Sequence, residues 1–172
     1  MFKQAWAIYQ EAFSGYEGRS RREQRRVMGH PLYRFSAVMQ DDKVVGVLAW
    51  WELQGFCFVE HFAISSAHRS GGFGRRAMAL LQAHADCPLV VDVAPFGADQ
   101  PASRRVAFYR RLGFEYSGEP VELPAYEGRS VEPSNLMAWK LELSGGGRER
   151  VLAAISRDIY GQSERVPYPS AV

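Results

Sequence analysis

The sequence predicts a single domain with a mixed α/β or α+β fold, in which helices flank a central sheet. In the middle of the chain, apolar strand-like runs alternate with amphipathic helical stretches, which is the pattern of strand–helix–strand units. Before these units, two apolar runs are joined by the polar turn Gln40-Asp41-Asp42, which is typical of an antiparallel hairpin. The length of 172 residues suits one domain with a sizeable core.

The N-terminal part is predicted to hold a helix, a basic segment and the hairpin. Phe2 to Phe13 carries apolar residues at helical spacing. We interpret the basic run from Arg19 to Arg26 as a charged helix face and expect no nucleic-acid partner. The run lacks interleaved aromatic residues, and the net charge of the chain is only +2. The hairpin strands are expected at Arg34–Met39 and Lys43–Trp51, with Trp50 and Trp51 on opposite faces.

The central part is predicted to be a buried strand, a helix and a second buried strand. The strand from Phe56 to Ile64 is apolar on both faces, so we place it in the middle of the sheet with Glu60 on the face of Phe62 and Ile64. The following helix, Gly72 to Ala85, has an apolar stripe. The stripe consists of Phe73, Ala77, Leu80, Leu81 and His84. Leu89 to Ala94 forms the second strand.

The C-terminal part is expected to add two helices and two strands. They are a helix at Ser103–Leu112, strands at Phe114–Gly118 and Asn135–Leu143, an acidic loop at Glu119–Ser134 and a last helix at Glu149–Tyr160. Gly145 to Gly147 interrupts the pattern before this last helix. We therefore divide the chain into a domain at residues 1–143 and a C-terminal helix and tail at 144–172.

The turn between the first buried strand and its helix predicts a phosphate-binding site. Its sequence, Arg69-Ser70-Gly71-Gly72-Phe73-Gly74, is rich in glycine and opens a helix. Backbone N–H groups at a helix start have no partner within the helix, and the helix dipole favours negative charge there. Arg69, Arg75 and Arg76 can each pair with phosphate oxygens through two bonds.

Two known phosphate sites compete for this turn. The nucleotide-hydrolase loop needs Lys and then Ser or Thr after its last glycine, but Gly74 is followed by Arg75-Arg76. A dinucleotide site fits better, because Gly72 to Ala77 has the form G-x-G-x-x-A and Asp92 lies about 20 residues further on. Against it, a helix and a hairpin precede the turn, and the chain left after it is short for a nicotinamide domain.

Three segments together resemble the GCN5-related N-acetyltransferase (GNAT) family. Arg69 to Gly74 matches the family pattern [QR]-x-x-G-x-[GA], and Ala107 to Phe114 resembles its second signature, a helix ending in Tyr-x-x-x-Gly-Phe. Glu60 to Ile64 is similar to the strand before the glycine turn in many members. The resemblance extends over roughly residues 1–143.

The resemblance implies a fold and a cosubstrate. The fold would be a central mixed, mostly antiparallel sheet with a splayed pair of parallel strands, flanked by helices. Acetyl-CoA would be the cosubstrate, and no metal is expected. Its pantetheine arm would bond to the backbone of Phe62, Ala63 and Ile64. The pyrophosphate would lie on the N–H groups that run through Ser70, Gly71, Gly72, Phe73, Gly74 and Arg75, with Arg69 at the rim.

The resemblance also implies a reaction, in which an amine attacks the thioester directly in a ternary complex. Glu60 is the candidate base, directly or through a water or His61; alternatively it forms a salt bridge to an arginine or orients the substrate. Tyr109 matches the position of the acid that protonates the thiolate, and its alternative role is packing. The N–H groups of Phe62 and Ile64 would bind the oxyanion. One departure is Ala102, where many members have an asparagine that bonds the pantetheine arm.

The acceptor is expected to be a small-molecule primary amine, with a protein or peptide amine as the alternative. Acidic residues in the loop from Glu119 to Ser134 could attract a cationic amine or could simply be solvated. A non-catalytic acyl-CoA-binding module of the same fold is the competing function. Family members are often dimers, so a homodimer is a further expectation that the sequence itself does not support.

The remaining features concern the cellular setting. The two cysteines, Cys57 and Cys87, show no metal-ligand spacing and are interpreted as reduced thiols, with a disulfide between them as the alternative. No apolar run is long enough to cross a membrane, and the N-terminus lacks a signal-peptide pattern. From these observations we expect a cytoplasmic protein without a membrane partner.

Overall fold

The computed structural model describes residues 1–14, 18–95, 100–117, 119–124 and 133–161. The helices in these segments are α1 (Phe2–Ala12), α2 (Arg21–Val27), α3 (Phe73–His84), α4 (Gln100–Arg110) and α5 (Gly145–Ile155). The strands are β1 (Tyr33–Gln40), β2 (Lys43–Leu53), β3 (Phe56–Ile64), β4 (Leu89–Val93), β5 (Glu115–Tyr116), β6 (Val121–Glu122) and β7 (Pro133–Trp139). A 3₁₀ turn at Ser66–His68 follows β3, and a π-helical turn at Ser156–Tyr160 extends α5. Within these segments, no helix combines the length and the apolar character that a bilayer span requires.

The strands form one mixed sheet in the order β1-β2-β3-β4-β7-β5, with β6 also pairing with β7. Only β3 and β4 run parallel among the described strand pairs; the others are antiparallel. The parallel register covers Cys57 to Val59 against Leu89 to Val91, although β3 continues to Ile64 and β4 to Val93. This confirms a mixed, mostly antiparallel sheet whose central parallel strands separate partway along.

Helices cover both faces of the sheet. On one face, α5 buries Val151 and Ile155 against Trp51 and Phe58. Helix α1 lies on the same face, because Phe35 of β1 packs with the residues of both groups. On the other face, α3 and α4 bury side chains against the sheet. These are Met78, Leu81, Val106 and Tyr109, in contact with Leu48, Val59 and Val91. Helix α5 therefore packs into the same core as the sheet. The domain boundary predicted from the sequence places this helix outside the domain at residues 1–143.

A β-bulge in β3 changes which side chains face each layer. Ala49 of β2 lies opposite His61, but Trp50 lies opposite Val59, so Glu60 is an extra residue. Beyond the bulge, His61 contacts α1, whereas Phe62 packs against the α3–α4 layer. The prediction that the Glu60 side chain shares a face with Phe62 is therefore wrong. Glu60 lies on the α1–α5 face, and Phe62 lies on the opposite face.

Other boundaries also differ from the sequence prediction. Met78 is fully buried on α3, while Leu80, which we placed in the stripe, is 61% exposed. β7 ends at Trp139 because Lys140 adopts a φ of 57°, which breaks the extended conformation. The acidic loop contains strand β6, and its exposed Glu119 and Glu122 belong to the described residues. Glu127 and Glu132 lie outside them, as does the predicted tail from residue 162 onward.

Candidate active site

The separation of β3 and β4 creates a seam in the sheet. Beyond the Val59–Val91 pair, β3 still pairs with β2 as far as Ile64. Its other edge, from Glu60 to Ile64, has no register partner on β4. Unpaired strand edges present backbone N–H and C=O groups to a ligand. Phe62, Ala63 and Ile64 lie on this edge.

The glycine turn lies beyond the open end of β3 and starts α3. Ser70 and Gly72 both adopt left-handed conformations, with φ values of 67° and 74°. Gly72 is the N-cap of α3, and no side chain caps the N–H groups of the first turn. A side chain at Gly71 would lie 2.6 Å from the Phe73 ring, so the turn is closed tightly against that ring. The result is a helix start with backbone donors that a phosphate group can approach.

A cleft of about 660 Å³ runs along this turn. It is lined by the predicted residues Ile64, Arg69, Ser70, Gly72, Phe73, Gly74 and Arg75, together with His68, Phe108, Arg111 and Leu112. A smaller cavity of about 200 Å³ also borders on Ile64 and Arg69. It is lined by Phe62, Ala63, Ala12, Phe13 and Arg105 as well. The two cavities meet at Ile64 and Arg69 and extend from the turn to the seam.

Two arginines differ from the expectation for the turn. The Arg76 guanidinium lies over the Phe73 ring, 4.5 Å from its centre, and Arg76 does not line the cleft. Arg111, directly after α4, lines it instead. Sequence reasoning missed Arg111 because its contribution depends on how α4 packs beside the start of α3. The only signal was its place in the second family signature.

Glu60 is held in a buried ion pair. The Arg19 Nη1 and Nη2 groups donate to the two Glu60 carboxylate oxygens at 2.5 Å each, and Trp51 Nε1 donates to Oε2 at 2.9 Å. The Arg19 and Glu60 side chains are 5% and 4% exposed. Burial opposes ionisation of Glu60, but the Arg19 charge and its hydrogen bonds outweigh it and hold the pKa of Glu60 well below its usual range. A carboxylate in this state accepts a proton poorly.

Arg19 also fixes the chain just before α2. Its backbone N–H donates to Tyr9 Oη at 2.8 Å, and its guanidinium lies 5.4 Å from the Tyr33 ring centre and 5.9 Å from that of Trp51. Arg19 is therefore a buried residue and not part of the charged helix face that we expected. The exposed arginines of that run belong to α2, which begins after a Ser20–Glu23 capping box.

His61 lies beside this ion pair. Its Nε2 is 3.1 Å from Tyr9 Oη, and its Nδ1 is 3.6 Å from Glu60 Oε2. The rings of Tyr9 and Phe13 meet the imidazole edge-on at centre distances of 4.8 and 4.7 Å. The bulge places Glu60 and His61 next to each other on the α1–α5 face, which strict alternation would not allow.

Asp92 is a second carboxylate at the seam. It follows Val91, the last β4 residue in the parallel register, and it is partly buried. Burial and the nearby Glu60 charge raise the pKa of Asp92 from 3.8 to about 6, while His61 and Arg105 oppose the rise. In the sequence, Asp92 stood out only as the acid of a dinucleotide site. That signal did not indicate its place beside Glu60 and His61.

Tyr109 lies on α4 within the core. Its ring contacts those of Phe108 and Phe114 edge-on, at centre distances of 5.1 and 5.2 Å. Burial raises the pKa of Tyr109 above its ordinary value of 10.0, so the phenol keeps its proton at neutral pH. Ala102 is buried on the same helix. The geometry is consistent with packing and with proton donation, so the catalytic role of Tyr109 stays a prediction.

Other predicted features of the site can also be located. Trp51 belongs to the core of the α5 face and Trp50 packs against the α3–α4 layer, which confirms their opposite orientations. Cys57 and Cys87 are thiols. Across the described ranges, no three His, Cys, Asp or Glu side chains are grouped as a metal site would require.

Residues 1–114 match the model of the acetyltransferase (GNAT) family. A GNAT-family structure from Bacteroides thetaiotaomicron is 28% identical, with a TM-score of 0.85 and coverage of 93% of this chain and 92% of that one. The ribosomal-protein-S18-alanine N-acetyltransferase from Escherichia coli is 19% identical, with a TM-score of 0.60 and coverage of 83% and 89%. An aminoglycoside 6'-N-acetyltransferase complexed with coenzyme A is 15% identical, with a TM-score of 0.58 and coverage of 80% and 88%. No functionally curated protein sequence matches the chain.

Proposed function

Because this chain belongs to the acetyltransferase (GNAT) family, we propose that it transfers an acetyl group from acetyl-CoA to a primary amine of a small molecule. One observation carries the proposal: the seam between β3 and β4 continues into a cleft that ends at an arginine-lined helix start. A long thioester with a pyrophosphate near one end and a reactive group at the other fits such a path. The acceptor would reach the thioester from the smaller cavity.

The donor would be held mainly by backbone groups. The open edge of β3 at Phe62, Ala63 and Ile64 offers bonds to the pantetheine arm, much as an added strand would bind. Ser70 and the residues from Gly72 to Arg75 line the cleft at the start of α3, where backbone N–H groups are available and negative charge is favoured. Arg69, Arg75 and Arg111 line the same cleft and supply positive charge.

The chemistry needs an amine without its extra proton, donors for the oxyanion and an acid for the leaving thiolate. Backbone N–H groups at Phe62 and Ile64 are the proposed oxyanion donors. Tyr109 is the proposed acid, since its raised pKa keeps a proton available. For Glu60, its ion pair favours the orienting role over the role of base, because Arg19 and Trp51 already occupy both of its oxygens.

A small acceptor suits the smaller cavity. At about 200 Å³, this cavity lies between the end of α1 and the open edge of β3, with Phe13 and Arg105 on its walls. The E. coli neighbour is named for a protein amine and the coenzyme A complex for an aminoglycoside amine, so the fold accommodates both kinds of acceptor. The cavity size is our reason for preferring a small molecule.

Two measurements test the proposal. Thermal unfolding with acetyl-CoA, coenzyme A and NADH in parallel should show stabilisation by the first two alone. A ligand at 100 times its Kd raises the free energy of unfolding by about 2.7 kcal/mol. Thiol release from acetyl-CoA should then depend on an added amine, tested with a panel of polyamines, aryl alkylamines and aminoglycosides. Stabilisation without thiol release would favour the acyl-CoA-binding module, and stabilisation by NADH alone would contradict the family's ligand.

A matched pair of glycine variants localises the donor. A Cβ at Gly74 would lie 3.5–3.6 Å from Phe108 and Ile64, both of which line the cleft. Gly74→Leu should therefore fill the cleft and remove the stabilisation by acetyl-CoA. Gly29→Leu is the control, because Gly29 is exposed and far from the cleft in the chain. Equal acetyl-CoA binding by both variants would show that the donor lies elsewhere.

A further inference from the structure

Asp92 and Glu60 occupy equivalent places at the opening of the seam. In the parallel register Val59 pairs with Val91, so Glu60 and Asp92 are the first residues beyond the last pair on their strands. Val90 belongs to the α5-side core and Val91 to the α3–α4 layer. Alternation then places Asp92 on the α1–α5 face, which is also the face of His61. Asp92, Glu60 and His61 therefore share the α1–α5 face of the sheet at the opening of the seam.

The two carboxylates have opposite environments. Arg19 and Trp51 bind both oxygens of Glu60. In the described part of the chain, no guanidinium forms an ion pair with Asp92, and the ionised form is favoured only by the nearby His61 and Arg105 and by its own backbone. A pair of titratable groups with environments this different is typical of acid–base sites, where one group stays charged and the other exchanges protons.

The charged and titratable groups around Asp92 come from each neighbouring element. Glu60 and His61 of β3 and Arg105 and Tyr109 of α4 interact with it electrostatically, although α4 packs on the other face of the sheet. Tyr160, from the turn after α5, also interacts with it. Burial and Glu60 together raise the pKa of Asp92 to about 6, close to neutrality, where a general base is most effective.

We propose that Asp92 is the catalytic base that takes a proton from the acceptor ammonium, and that Glu60 serves as a fixed charge beside it. This inference rests on the proposed function. The ammonium loses one proton to the Asp92 carboxylate, and the freed nitrogen pair forms a bond to the thioester carbonyl carbon. When the carbon–sulfur bond breaks, the nitrogen gives its second proton to solvent, the thiolate gains one from Tyr109, and solvent returns a proton to the Tyr109 phenolate. Asp92 returns its proton to solvent, so the overall reaction gives amide, thiol and one released proton.

Asp92→Asn tests this assignment because it keeps the size of the side chain and removes the proton acceptor. Asp86→Asn is the matched control, since Asp86 is exposed in the turn before β4. The readout is kcat/KM for amine-dependent thiol release between pH 5 and 9, with the polyamine, aryl alkylamine and aminoglycoside panel. We expect the wild type to lose activity below about pH 6. Asp92→Asn should lose about 10²–10⁴-fold and lack that acid limb, with unchanged KM for acetyl-CoA.

The outcomes separate the two proposals. A wild-type protein that releases no thiol with any amine overturns the proposed function and this inference with it. An active wild type whose Asp92→Asn variant keeps full activity and the same acid limb overturns this inference alone. Asp92→Glu is a second variant, which retains a carboxylate and should retain the acid limb. Loss of that limb in Asp92→Glu, with the protein folded and binding acetyl-CoA, would also contradict the assignment.

Discussion

Arg19 and Glu60 form a buried, two-bond ion pair that joins the segment before α2 to the bulge of β3. The pair lies against Trp51 and Tyr33, and the Arg19 backbone is tied to Tyr9. One contact thus connects α1, the hairpin and the central strand. Withdrawing two charges from water costs much free energy, so the net contribution of such a pair to stability is small. Removing one partner is nevertheless strongly destabilising, because the other charge then stays buried without a counter-charge.

Arg19→Met should be strongly destabilising. It leaves the Glu60 carboxylate buried without its counter-charge, and we expect a loss of about 3–5 kcal/mol in the free energy of unfolding in urea. Arg34→Met is the control, because its pair with Glu52 is about 40% exposed and should contribute less than about 1 kcal/mol. Arg19→Met/Glu60→Met should recover much of the loss. Equal effects of the two single substitutions would contradict the role of the buried pair.

Asp92→Asn should stabilise the protein at high pH. The folded state raises the pKa of Asp92 from 3.8 to about 6, so the ionised carboxylate costs stability above pH 6. This cost disappears as the pH falls from about 6 to about 4, because the folded state then binds the proton more tightly. We expect a gain on the order of 1–3 kcal/mol at pH 8 and little at pH 4 from urea unfolding. A gain of the same size at both pH values would show that the charge is not its cause.

The contribution of Glu60 to stability depends on pH in the opposite direction. Its folded pKa is lowered from the ordinary value of 4.5, so its ion pair contributes stability above that pH and loses it as the pH falls through the lower folded value. Acid unfolding of the wild type should therefore be steeper below pH 4.5 than that of Arg19→Met/Glu60→Met. Parallel acid-unfolding curves for the two proteins would contradict this linkage.

Tyr109→Phe should reduce turnover on the order of 10²-fold if the phenol protonates the thiolate. The ring contacts with Phe108 and Phe114 remain, so acetyl-CoA affinity and melting temperature should change little. Tyr116→Phe provides the control, because Tyr116 packs against the same core but belongs to β5. Full turnover in Tyr109→Phe would leave packing as the role of this side chain.

Gly72→Ala and Gly55→Ala should separate backbone strain from ligand binding. Both glycines have positive φ, 74° and 89°, and a Cβ at either meets nothing within 4 Å. Each substitution should therefore cost about 1–2 kcal/mol from backbone strain alone. Gly72 shapes the donors at the start of α3, so only Gly72→Ala should also weaken acetyl-CoA binding, measured by calorimetry. An equal loss of affinity in both would indicate a global effect.

The order of elements could be predicted from the sequence, because each is encoded locally. The hairpin turn, the doubly apolar β3 and the glycine turn before α3 each have a short-range pattern. The β3 bulge has no such pattern. It arises from the pairing of β3 with β2, and it moves every later side chain of the strand to the other face.

The glycine turn as a helix start could likewise be anticipated, but the acid–base groups could not be fully assigned. Arg19 was indistinguishable in sequence from the exposed arginines that follow it, since only tertiary packing buries it under Trp51. Asp92 was marked in the sequence only as the acid of a dinucleotide site. The role of Asp92 depends on the pairing of β4 with β3. The two strands are far apart in the sequence, so local patterns do not reveal this pairing.

The short ladder between β3 and β4 has a consequence for the lifetime of the protein. It is the joint between two halves of the sheet, β1 to β3 and β4 to β7. Under the proposed function, acetyl-CoA binds between these two halves. Because it binds the folded sheet, it stabilises the sheet against opening, and more so as its concentration rises. Amide exchange and proteolysis, which begin at locally opened segments, should then slow when the metabolite is plentiful. The abundance of the enzyme would follow the supply of its own donor.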